Sequence, residues 1–230
     1  VKINNSKIRL GKIDDVFEVS LELKDLAHVL YVGINSEVRE NFVSKIHKQV
    51  QDIHEDIEIV FLDENSTDIL EILEKYNSHE ISNSIYTHRK RRKRFDILNQ
   101  DPSSDDYIIP SYIEAPRKDD EYFRIIYVKN LDLIFEKFNN KQNVELLEKI
   151  REVISFGRHF GVLAMTSISK ANSSDNILML RANFPTFICF KCETEEESKK
   201  LIFKKGLESI SDNQFYIRTY QTKVPLLINF

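Results

Sequence analysis

Residues 29–40, VLYVGINSEVRE, decide how this chain is read. Val29 to Val32 form a short apolar run suited to a strand, Gly33 follows, and the polar stretch beyond it is compatible with a helix. Strand, turn and helix in that order form the frame in which G-x-x-x-x-G-K-[ST] cradles nucleotide phosphates. On that spacing Gly33 falls on the first glycine, Val38 on the second, Arg39 on the lysine and Glu40 on the hydroxyl residue. The frame is kept and its chemistry is exchanged. Val38 disfavours the positive φ that turns backbone N–H groups toward phosphates. Arg39 is a planar fork where a compact ammonium belongs. Glu40 is too long for the hydroxyl's place on Mg²⁺, and with Glu37 it sets negative charge where a phosphate would sit. Taken alone, the fragment reads more readily as an ordinary strand-to-helix turn with one glycine than as a P-loop.

The rest of the chain decides between the two. A nucleotide-hydrolysing domain of this kind needs a second buried strand ending in an aspartate for Mg²⁺. The run FRIIYV, residues 123–128, suits a central parallel strand, with Ile125–Val128 expected beside Val29–Val32, but Lys129 and Asn130 follow it. A lysine in the metal position repels Mg²⁺, and Lys129, opposite in sign to Glu40, is expected to pair with it in place of the ion. Further on, GRHFGVLAMTS (157–167) carries a strand from Val162 to Met165 that ends in Thr166 and Ser167. RANFPTFICFKCETEEESKKLI (181–202) holds a strand containing Phe187 to Phe190 and a helix from about Thr194.

In order and wording these segments resemble the FtsK/SpoIIIE-type motor ATPases. AHVLYVG is similar to their entry to the P-loop, and RIIYVKNLDLIF to their Walker B strand and following helix. GRHFGVLAMTS is similar to their G-R-x-x-G-hydrophobic-T-Q stretch. RANFPTFICFK resembles their A-N-x-P-T-R strand, with Phe187 in place of the arginine. IRLGKIDDVFEVSLEL, residues 8–23, resembles the lead-in to the C-terminal ATPase domains of the EccC/EssC coupling ATPases of type VII secretion. The similarity covers about 8–76 and 120–230 and points to the third, C-terminal ATPase domain, of the type VIIb kind. It implies an α/β, RecA-like P-loop NTPase fold: a mainly parallel sheet flanked by helices, with a C-terminal hairpin closing the sheet edge.

It also places functional positions. Gly33, Val38, Arg39 and Glu40 stand at the degenerate Walker A loop, Lys129 and Asn130 at the degenerate Walker B strand, and Thr166 and Ser167 at a sensor-like position. No catalytic residue and no metal ligand is expected. Neither is a cofactor, ATP with Mg²⁺ binding at most weakly, held by Arg39 and the amides of a helix N-terminus. The partners implied are secreted proteins, neighbouring ATPase domains of the same chain, and the other subunits of a hexameric motor. The resemblance also implies a cytoplasmic domain of a bacterial membrane protein.

Composition sets bounds. The chain has 230 residues, of which 41% are hydrophobic, enough for one large α/β core. A net charge of −4 argues against a nucleic-acid binder as a whole. The first residues lack the apolar stretch of a signal peptide, and no run is long enough to span a bilayer, so an anchor is expected upstream. Cys189 and Cys192 form a C-x-x-C without a second pair or a nearby histidine. Their spacing in a strand-like run puts them on opposite faces, as ordinary strand cysteines.

Residues 1–230 read as one domain with an irregular basic and polar insertion at 77–121. Elsewhere the pattern predicts a strand from about Glu18 to Leu23 and a helix from about Glu37 to Ile53. A strand at Ile57 to Leu62 and a helix from Thr67 to Tyr76 capped by Ser66 follow. One or two helices are predicted over 131–156, and a terminal hairpin from Gln214–Thr219 and Val224–Phe230. Without the six Lys/Arg of the run RKRRKR, residues 89–94, the net charge would fall to about −10. That run fits contact with nucleic acid, an acidic partner or anionic lipid. It also fits a solvated helix face above Ile81, Ile85, Phe95 and Leu98. His47 and His54 read as surface residues, and His28 as a satisfied residue at the strand edge.

Overall fold

The computed structural model describes residues 7–22, 26, 28–53, 57–77, 124–157, 162–170, 184–219 and 224–230. The basic run, most of the 77–121 insertion and His54 lie outside them.

The described residues build a nine-stranded sheet. The elements are β1 (Lys7–Ile13), β2 (Phe17–Glu22), β3 (Val29–Val32), α1 (Ser36–Ile53), β4 (Glu58–Leu62) and α2 (Ile69–Asn77). Then come β5 (Arg124–Val128), α3 (Leu131–Lys137), α4 (Asn140–Phe156) and β6 (Val162–Ile168). The chain closes with β7 (Thr186–Cys189), α5 (Glu195–Ile202), β8 (Gln214–Arg218) and β9 (Leu226–Asn229). The order across the sheet is β2-β1-β9-β8-β7-β3-β6-β5-β4. Strands β7, β3, β6, β5 and β4 run parallel, and β8, β9, β1 and β2 add antiparallel.

The parallel centre follows from composition. β3, β6 and β7 are buried at every position, as strands covered on both faces must be. Alternate residues feed two cores. Leu30, Val32, Ile126 and Val128 face α2 to α5, while Val29, Tyr31, Ile125 and Tyr127 face α1. On the α1 side Phe42, Phe190, Phe215 and Phe230 cluster with ring centroids 4.8–5.8 Å apart.

Several expectations need correction. β3 and β5 are parallel members of one sheet but not neighbours, because β6 lies between them. Helical crossovers leave strand order open, so a strand arriving late in sequence can take the central slot. The β8–β9 hairpin is internal to the sheet: β9 pairs with β1 at Lys12↔Asn229, and β2 forms the edge. Gly11 makes that junction possible, since a Cβ there would lie 2.1 Å from the Asn229 carbonyl oxygen. The helices over 131–156 are two. Asn139 separates them with a capping box, its side chain accepting the Gln142 N–H while Gln142 accepts the Asn139 N–H.

Ser66 does not cap α2, which starts at Ile69. Its hydroxyl instead bonds Asp63 and closes the preceding loop. Cys189 and Cys192 are both reduced and both border the core facing α2 to α5. β7 ends at Cys189, so strand alternation does not reach Cys192. Burial, then the charge of Glu197, pushes the Cys192 thiol up to about 11, which keeps it protonated and unreactive.

Candidate functional site

The C-terminal ends of β3, β5 and β6 meet where the sequence placed its degenerate motifs. Gly33 leaves β3 against Phe190, whose Cβ would lie 2.6 Å from an added Cβ, so the position needs glycine for close approach rather than for a left-handed turn. The chain then enters α1 at Ser36, before Val38 is reached. No wide loop forms. Asn35 acts as the N-cap, its Oδ1 accepting the Val38 N–H at 3.2 Å. A side-chain oxygen thus takes an amide that a phosphate would need.

Arg39 follows on the first turn of α1, and its side chain is completely buried. Its guanidinium donates to the Gly33 carbonyl, the Ile168 carbonyl (3.2 Å), the Asn130 side-chain oxygen and Glu40 Oε1 (3.2 Å). One side chain therefore ties together the ends of β3, β5 and β6. Asn130 reaches it because its backbone is left-handed, at φ 48°. Asparagine tolerates that conformation better than most residues. The Asn130 N–H donates to Ser167 Oγ at 2.9 Å.

Glu40 completes the network. The Tyr127 hydroxyl lies 2.8 Å from its carboxylate, and Ser167 Oγ lies 3.2 Å from it and 3.0 Å from the tyrosine. Burial, then the charge of Glu40, raises the Tyr127 hydroxyl far above its ordinary value, so it stays a donor to the carboxylate. Tyr31 is raised by the same two causes in the same order.

The sequence expectation brings Gly33, Arg39, Glu40, Asn130 and Ser167 together, and the structure joins all five. Lys129 does not join them. It is half-buried, and its N–H bonds the Leu62 carbonyl at 2.7 Å on the β4 side. There it acts on Asp63. Desolvation raises that carboxyl, but hydrogen bonds from Asn65 and Ser66, with the charge of Lys129, hold it below its ordinary value. An ion pair of Glu40 with Lys129 across a vacated metal position is the natural expectation from their opposite signs, and it is not formed. Glu40 pairs with its neighbour Arg39 instead.

Thr166 stays outside the network too. It is fully buried on β6, and its Oγ1 has no hydrogen-bond partner. A buried hydroxyl without a partner costs stability. Thr166→Val, of the same shape, is therefore expected to be neutral or to stabilise the chain by up to about 1 kcal/mol in chemical denaturation.

Sequence reasoning missed Asn35 and Tyr127. Asn35 was recoverable as an asparagine one residue before a helix. Tyr127 carried no signal, since an aromatic in a buried strand reads as core. His47, expected at the surface, is buried under the rings of Phe61 and Tyr127, with Nε2 3.3 Å from Met165 Sδ. His28 lies buried just before β3, its Nδ1 accepting the Ala164 N–H at 2.8 Å.

The helix start is capped from within, the position of the phosphate-binding cation is occupied by a buried guanidinium, and a carboxylate stands at the hydroxyl position. Among the described residues no group of three or more His, Cys, Asp or Glu is arranged to hold a metal. Nor is any helix there long and apolar enough to cross a membrane.

No protein-family model matches the sequence, and no curated protein matches it. Solved structures do match the fold. The pCW3 conjugation coupling protein TcpA, in its monomer form with ATPgS, superposes with TM-score 0.69 at 11% identity, over 98% of this chain and 66% of that one. ATPases 2 and 3 of the Thermomonospora curvata type VII secretion protein EccC, in complex with a signal sequence peptide, give 0.62 at 13% identity over 98% and 40%. ATPases 2 and 3 of Geobacillus thermodenitrificans EssC give 0.65 at 12% over 97% and 44%. The chain thus spans between two fifths and two thirds of these structures. It has the RecA-like α/β fold shared by the EccC and EssC secretion ATPases and the coupling protein TcpA.

Proposed function

We propose that this chain is a non-hydrolysing ATPase-fold domain of a larger secretion motor, working through contact with protein rather than through turnover of its own. The observation that carries this reading is Arg39. At the position of the phosphate-binding lysine, its guanidinium is completely buried and engaged by four partners, two of them backbone carbonyls. Phosphoryl transfer depends almost wholly on positioned cations and donors. Here those groups bond one another. The similarity to EccC bound to a signal sequence peptide supports a secreted protein as one partner. The similarity to pairs of ATPase domains in one chain supports a neighbouring domain as the other.

Thermal denaturation under ATP titration, with and without Mg²⁺, tests the reading. A ligand at about 100 times its dissociation constant adds about 2.7 kcal/mol. For a domain of this size that shifts the midpoint by roughly 5–11 °C. No shift is expected, and no ATP turnover, and Lys129→Asp should restore neither. A saturable shift would mean that ATP is kept as a structural ligand. Turnover abolished by Arg39→Ala would mean a working motor.

A further inference from the structure

Among the described residues five non-glycine positions hold a positive φ: Asp14, Asp15, Asp68, Asn130 and Phe203. Asn130 is accounted for by the Arg39 network, and Asp68 by the entry to α2, where its carbonyl accepts the Ile72 N–H. Phe203 is the left-handed C-cap of α5, its N–H bonding the Lys199 carbonyl, and Asp14 and Asp15 make the β1–β2 turn.

Asp14 and Asp15 are the central residues of the β1–β2 turn, closed by the Val16 N–H on the Ile13 carbonyl at 3.1 Å. Their φ values of 50° and 56° follow the two-residue pattern that Asn-Gly fills with less strain. Two aspartates there place a pair of carboxylates at the tip of the hairpin, that of Asp15 accepting from Asn229 Nδ2 at 2.9 Å. Beside them Val16 and Phe17 are 70% and 67% exposed.

Phe203 ends α5 in a left-handed conformation that usually goes to glycine. Its ring is 69% exposed. The Arg218 guanidinium lies 4.6 Å from the ring centroid, Lys204 is adjacent in sequence, and Lys199 stands one helical turn back. Lys205 is taken up by Glu195 at 2.6 Å. A strained backbone that holds an exposed side chain points to a role at that place.

The two places are related by the sheet. The registers Lys12↔Asn229 and Ile217↔Leu226 carry the hairpin tip, the start of β9 and the end of β8 toward the same end of the molecule. The start of β9 lies between, with Val224 and Leu226 exposed. The sequence across this end is acidic, apolar, basic. That order is complementary to itself after a two-fold rotation. Phe17 and Phe203 are both mostly exposed, so the tip does not cover the basic cap of its own chain.

We propose that the chain pairs with a second copy of itself. The acidic tip of each copy (Asp14, Asp15, Val16, Phe17) docks on the basic, aromatic cap of α5 in the other (Lys199, Phe203, Lys204, Arg218), with the start of β9 near the axis. The surface is separate from the Arg39 network and stands or falls without it.

Sedimentation velocity on the 230-residue chain tests this, from about 10 μM to about 1 mM protein. Wild type is expected to form a dimer that weakens about tenfold or more between low and high salt. Asp14→Lys/Asp15→Lys should be monomeric, and so should Lys199→Glu/Lys204→Glu. An equimolar mixture of the two should associate again, since each reversed tip then meets a reversed cap. Asp14→Asn/Asp15→Gly keeps the turn and relieves its strain. It should melt no lower than wild type yet dimerise at least about tenfold more weakly. A wild-type chain that stays monomeric throughout overturns the proposal. So does association indifferent to either reversal, or a mixture that fails to restore it. Sensitivity at the tip alone would mean a different cationic partner and would also overturn the pairing.

Discussion

Arg39→Ala is expected to cost the folded state about 3–5 kcal/mol, the range for removing one partner of a buried ion pair. The size follows from what is left behind. The Gly33 and Ile168 carbonyls, the Asn130 side chain and the Glu40 carboxylate each lose a donor at a site where the arginine side chain is wholly enclosed. For a domain of this length the melting midpoint should fall by roughly 6–20 °C. Urea denaturation with an unchanged slope would place the loss in the native state. Arg39→Lys should also be costly, although it restores the residue of a working loop. An ammonium is a compact charge and cannot span acceptors that a planar fork reaches together. A double-mutant cycle separates the ion pair from the rest. Arg39→Ala with Glu40→Ala should lose less than the sum of the single changes, because the half-buried carboxylate is no longer left without its cation. A phosphate-binding arginine in an open loop would behave differently. Its alanine variant would melt near wild type and lose only nucleotide affinity.

That contrast marks where the sequence was legible. Gly33 after VLYV, the β-branched run before Lys129 and the strand ending at Thr166–Ser167 announced the frame, because buried parallel strands have few other compositions. The same positions carried the expectation that the phosphate chemistry is exchanged. What replaced it was not legible. Glu40 and Lys129 have opposite signs at positions that converge in an intact enzyme, so pairing them was the economical reading. It fails because the left-handed backbone at Asn130 brings the side chain after Lys129 into the site, while Lys129 itself lies toward Asp63. A single positive φ carries no reliable sequence mark when the residue is not glycine. The early start of α1 was equally decisive. It removes the loop that would have exposed Arg39 and turns the phosphate-binding position into core. His47 was misplaced for a related reason. On the α1 wheel a histidine beside Ile46 can face either way, and only the aromatic residues of β4 and β5 decide that it is covered.

The burial of His47 has a consequence for acid stability. Desolvation pushes its imidazole down to about 4, from an ordinary value near 6.5. The rings of Phe61 and Tyr127 lie 5.4 and 5.2 Å away, and Nε2 lies 3.3 Å from the Met165 sulfur. None of these carries a negative charge to offset the cost of burying an imidazolium. The unfolded chain therefore binds a proton that the folded chain refuses throughout that interval. Stability then rises with pH between the two values, because the unfolded state holds more protons there. The contribution is complete above about 6.5 and is lost as pH falls through about 4. A difference of two to three units corresponds to about 3–4 kcal/mol. Urea midpoints measured from pH 7.5 down to 4 should fall steeply below pH 6.5. In His47→Leu, which keeps an apolar side chain under the same rings, most of that slope should disappear while stability at pH 7.5 changes little. Equal slopes in the two proteins would mean that the proton is taken up elsewhere and that His47 opens to water at low cost.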